Sequence, residues 1–118
     1  MKKLMITFVL AVLLTGCSSS FNASKMDSYI DKIETYSVGM LLGENSFDDL
    51  KQVIDAYNKE LQNIDTDAKN VQEFIDYQLK ANQLRLEGIQ KDDGELITES
   101  SKLQYFAIMK LQEIKGAE

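Results

Sequence analysis

The sequence predicts an all-α fold: a small antiparallel bundle, four helices in number, behind a leader and a short tether. Three observations carry this. The 118 residues contain no proline, so nothing locks φ or deletes a backbone donor inside a helix. Past Ser24 the apolar residues recur at three- and four-residue steps, which lines one face of a helix. Finally, Asp55–Lys59, Asp65–Lys69, Asp76–Lys80 and Glu87–Lys91 are acid-first pairs four residues apart, each contributing about 0.2–0.5 kcal/mol to a helix.

The first helix is expected to start at Ser24, with Ser24 and Asp27 in the S-x-x-D capping relation. Met26, Tyr29, Ile30, Ile33, Tyr36, Met40 and Leu41 form its stripe, and Gly43 is its stop because glycine accepts a positive φ freely. Ser46 and Asp49 repeat the cap relation ahead of a second stripe, Phe47, Leu50, Val53, Ile54, Tyr57, Leu61 and Ile64. Asp65-Thr66-Asp67 is a polar break rich in N-cap candidates. The third stripe is Val71, Phe74, Ile75, Leu79, Asn82, Leu86 and Ile89. Lys91-Asp92-Asp93-Gly94 signals a turn through its D-G pair, and Glu95 to Lys115 forms the fourth helix. Short connections favour antiparallel neighbours, hence an up-down bundle. The competing architecture fuses the third and fourth helices into one long bent helix.

The first residues carry a different message. Lys2 and Lys3 precede a run from Leu4 to Leu14 that is apolar except for Thr7. It is too short to span a bilayer core of roughly 30 Å as a helix, and fits an export leader. The run ends in Leu14-Thr15-Gly16-Cys17, which resembles the lipobox of bacterial lipoproteins. That resemblance implies cleavage before Cys17, a diacylglyceryl group on its thiol and acylation of the new N-terminus. Cys17 is the chain's one cysteine, so it has no internal disulfide partner. Residues 1–16 are thus read as the leader, 17–23 as the lipidated tether and 24–118 as the bundle. The location implied is the extracytoplasmic side of a bacterial membrane: the periplasmic face of the outer membrane in a diderm cell, the outer leaflet in a monoderm one.

Charge and composition exclude more than they assign. The two lysines of the leader leave 11 basic against 19 acidic residues, a net charge of −8. Such a surface repels phosphate backbones, so nucleic acid is not an expected partner. The chain has no histidine, which removes the Ser–His and Cys–His nucleophile arrangements and the usual zinc sets. Asp48-Asp49 and Asp92-Asp93 fall at expected helix starts and turns, where acids cap and solubilise; neither has the ligand spacing of a calcium loop. The sequence therefore predicts no enzyme, no metal, no small-molecule substrate and no cofactor beyond the covalent lipid at Cys17.

What remains is surplus apolar surface. Val38-Gly39-Met40-Leu41-Leu42-Gly43 and Tyr105-Phe106-Ala107-Ile108-Met109 hold more apolar residues than one helix face can bury. Val38, Leu42, Tyr105 and Met109 are the candidate partner-binding residues. The expected function is a membrane-anchored interaction module for an envelope protein. In leader and architecture it is similar to the small helical lipoproteins that accompany envelope and secretion assemblies. The alternative is an immunity or exclusion lipoprotein of a phage or conjugative element.

Overall fold

The computed structural model describes residues 20–117; the expected leader and Cys17 lie outside them. Four helices follow in order: α1 (Ala23–Leu41), α2 (Phe47–Gln62), α3 (Lys69–Lys91) and α4 (Gly94–Ala117). The fold is a small all-α bundle, and contacts along its helices show the up-down arrangement. Lys25 at the start of α1 pairs with Glu60 near the end of α2 at 3.0 Å. Lys110, late in α4, pairs with Glu73, early in α3, at 2.9 Å. Lys115 at the end of α4 reaches Asp27 on α1 at 2.8 Å, which closes the ring. The third and fourth helices are separate.

Each helix end has a local cause. Asn22 caps α1, its side-chain oxygen accepting from Lys25 N–H at 3.1 Å. Ser24, expected as the cap, is instead inside the helix. Phe21 shows why: it leaves the tether to pack edge-on against Phe74, centroids 5.7 Å apart, so the core begins earlier than the polar composition of SSSFNA suggests. At the other end Glu44 N–H bonds Gly39 carbonyl and Gly43 N–H bonds Met40 carbonyl, with Gly43 at φ 77°. This is a Schellman closure, whose left-handed position glycine takes without a Cβ penalty. Gly39 is buried beneath the Asn45 side chain, which a Cβ there would strike.

Ser46 and Asp49 form the expected capping box at α2, with bonds of 2.9 and 3.2 Å. At α3 none of Asp65, Thr66 or Asp67 occupies the cap; Ala68 does, with no side-chain bond of its own. Thr66 closes the approach instead, its hydroxyl accepting from Ala68 N–H and its carbonyl from Gln72 Nε2. The α3–α4 turn departs further from the D-G reading. Asp92, not Gly94, takes the left-handed conformation at φ 52°, a conformation Asp tolerates better than most residues. Asp93 N–H bonds Gly88 carbonyl, while Asp93 Oδ1 accepts from Glu95 and Leu96 N–H. Asp93 thereby ends one helix and caps the next. Gly88 lets them meet closely, since a Cβ there would lie 2.8 Å from Ile97 Cγ1 and 3.0 Å from its backbone nitrogen.

The core contains Met26, Ile30 and Ile33 from α1, Leu50, Ile54, Tyr57 and Leu61 from α2, Val71 and Phe74 from α3, and Ala107, Leu111 and Ile114 from α4. Leu41, assigned to the α1 stripe, is 88% exposed, because the helix ends there and the chain turns away. Of the acid-first pairs, Glu87–Lys91 forms an ion pair at 2.8 Å, whereas Asp55 pairs with Lys51 behind it. The centre of the α3–α4 contact is polar. Gln78 and Gln104 exchange two amide bonds of 2.8 Å. Gln78 Nε2 also donates to Asn82 Oδ1, Asn82 Nδ2 to Asn58 Oδ1, and Ser100 Oγ to Ala81 carbonyl.

Tyr57 is fully buried and stacks on Tyr29, centroids 4.7 Å apart. Its hydroxyl has no partner among the described residues. Burial first, then the negative charge of Asp27, pushes its pKa far above the ordinary tyrosine range. A folded pKa raised above the unfolded value of about 10 contributes stability that is complete below that pH and lost as pH rises. Tyr57→Phe should therefore gain about 1 kcal/mol at neutral pH, because a buried unpaired hydroxyl is removed. It should also flatten the decline in stability above about pH 10. Urea titrations of both chains at pH 7 and pH 10.5 measure this; a destabilised Phe variant would show that the hydroxyl is bonded in solution.

Candidate docking surface

α1 and α4 present the four residues singled out from the sequence. Val38 is 54% exposed, Leu42 66%, Tyr105 60% and Met109 51%. The bundle gives each helix one buried stripe, and these side chains fall outside it. The structure brings only two of them together. Val38 and Tyr105 line the same groove between α1 and α4, about 480 Å³ in volume, with Ile108 adding to its apolar wall. Leu42 lies at the end of α1 beside the exposed Leu41. Met109 belongs to another face, where it lines a shallow depression with Tyr77 and Phe106.

The polar side of the groove was not legible in the sequence. Arg85 comes across from α3 to line it, with Glu34 and Ser37 of α1 and the buried Gln104 of α4. Arg85 Nη1 donates a long bond of 3.4 Å to Ser37 Oγ, whose own hydroxyl donates to Ile33 carbonyl at 2.7 Å. Arg85 Nε has no partner among the described residues. Desolvation draws the guanidinium pKa down, opposed by the charge of Glu34. One signal was available: Arg85 is the single arginine of the chain and sits between two leucines, an unusual place for a solvated charge.

The turn between α3 and α4 carries a larger depression of about 900 Å³, lined by Asp92, Asp93, Glu95 and Glu99 among others and open to solvent. The Asp93 carboxylate there is occupied in capping α4. Among the described residues no group of three or more acidic, histidine or cysteine side chains is placed to hold a metal ion. None of their helices is long and apolar enough to cross a membrane. No family model, curated protein or solved structure matches the chain.

Proposed function

We propose that this protein is a lipid-anchored, non-catalytic interaction module of a bacterial cell envelope, docking an envelope protein through the α1–α4 surface. The observation that supports this most directly is the exposure of Val38 and Tyr105 on the two helices bordering one groove. Large apolar and aromatic side chains rimmed by polar groups mark interaction surfaces, and aromatic residues anchor interface hot spots. The address comes from the lipobox resemblance of Leu14-Thr15-Gly16-Cys17.

The test pairs stability with capture. Ile54 is fully buried, and Ile54→Ala should cost about 2–5 kcal/mol. Tyr105→Ala and Leu42→Ala should stay within about 0.5 kcal/mol of the parent, as exposed positions do. A photo-crosslinking amino acid at position 105 or 38 should then yield one discrete adduct in cells, and the same probe at exposed Asp76 none. Tyr105→Ala melting like Ile54→Ala would place Tyr105 in the core and remove the docking surface. Equal labelling from positions 105 and 76 would remove it too.

A further inference from the structure

We infer that the α1–α4 groove receives a single carboxylate carried on a short apolar segment of its partner, with Arg85 as the receptor; this rests on the docking reading above. Two features of the groove point to such an occupant. Its wall is apolar at Val38, Tyr105 and Ile108, and its volume of about 480 Å³ lies within the range of ligand-binding clefts. Set into that wall is one guanidinium whose donors are poorly used. Nε has no partner among the described residues, Nη1 makes only the 3.4 Å bond to Ser37, and no carboxylate of the described residues lies within ion-pair distance of it.

A planar fork of N–H donors matches a carboxylate in two parallel bonds, and such bonds strengthen where water is excluded. Glu34, which lines the same groove, sets the charge of the occupant. It partly offsets Arg85, so a singly charged carboxylate is accommodated where a doubly charged phosphate meets stronger repulsion. The acidity of the chain, −6 in all, acts at longer range and is screened beyond about 8 Å at physiological salt. Contact with Arg85 is not. The apolar wall adds the second requirement, that the carboxylate arrive flanked by aliphatic or aromatic side chains.

Because the chain has one arginine, its Nε–H gives a single assignable nitrogen–proton cross-peak. The measurement uses the full chain in phosphatidylcholine nanodiscs, titrated with acetyl-Leu-Phe-Leu as free acid and as C-terminal amide, and with inorganic phosphate. The acid should shift the Arg85 Nε–H cross-peak saturably, the amide should bind at least tenfold more weakly, and phosphate should produce a smaller shift than the acid. Arg85→Gln should abolish the difference between acid and amide, and Arg85→Lys should retain part of it. Glu34→Gln should tighten the acid several-fold. Should Arg85→Gln fail to fold, the comparison of acid with amide on the parent chain and on Glu34→Gln decides alone. Equal binding of acid and amide, an unmoved cross-peak at millimolar peptide, or phosphate matching the acid would each overturn the inference. If crosslinking from position 105 still captures a partner in those cases, the docking reading survives and only the carboxylate assignment falls.

Discussion

Cys17→Ala should abolish lipid labelling of the protein. No helix of the described residues is long and apolar enough to cross a bilayer, so on the proposed reading the attachment of the processed chain rests on Cys17. Each buried methylene of an acyl chain contributes about 0.8 kcal/mol, and one chain holds only marginally. Two or three chains on one residue make the anchor durable, and removing the thiol removes its attachment point. Fatty-acid-analogue labelling should fall to background, and the protein should move to the soluble fraction or accumulate unprocessed. The fold should not change, because α1 begins at Ala23 and the first packed side chain before it is Phe21. A labelled, membrane-bound mutant would defeat the lipoprotein reading. A mutant with a lowered melting midpoint would show that residue 17 takes part in the bundle.

The second large effect lies in the polar centre of the α3–α4 contact. Gln78→Leu keeps the volume roughly constant but orphans the Oε1 and Nε2 of Gln104 and the Oδ1 of Asn82. Buried unsatisfied groups cost about 1–3 kcal/mol apiece, so the variant should lose about 3–5 kcal/mol. A domain of this size is stable by about 5–15 kcal/mol, so the loss is severe. Gln78→Leu/Gln104→Leu removes both sides of the reciprocal pair and leaves chiefly Asn82 short of a partner. The double variant should therefore be more stable than Gln78→Leu alone. Urea unfolding of the double-mutant cycle reads this directly, and costs that simply add would mean that the two amides do not bond each other in solution.

These two regions also show what local sequence can and cannot reveal. The Ser46–Asp49 box and the Gly43 stop were readable because each is decided within a few residues by backbone donors that must find acceptors. The start of α1 was not, because Asn22 and Ser24 are equally competent caps and the choice falls to Phe21 meeting Phe74, a contact across the bundle. Asp92 took the left-handed position ahead of Gly94 because Asp93 was needed to cap α4. Apolar periodicity misread the inner face of α3 for a related reason. Of the expected stripe Val71, Phe74 and Asn82 are buried, whereas Ile75, Leu79, Leu86 and Ile89 are only partly buried, and the buried Gln78, Ala81, Leu84 and Gly88 were not in it. Close helix approach here relies on small and amide side chains. The exposed residues of the docking surface, by contrast, were legible by subtraction, as apolar residues left after each stripe was assigned. Arg85 left only the mark of a lone arginine between two leucines, since its role comes from α1 and α4 flanking it.

The length and direction of α1 set a height. Its 19 residues rise about 1.5 Å each, so Leu41 and Leu42 stand roughly 27 Å along the axis from Ala23. The tether joins at the Ala23 end, and the apolar tip is at the other. If Cys17 carries the proposed anchor, α1 sets the exposed Leu41 and Leu42 at its far end from the tether, and lateral diffusion of an anchored chain would confine its search for a partner to a thin layer parallel to the bilayer.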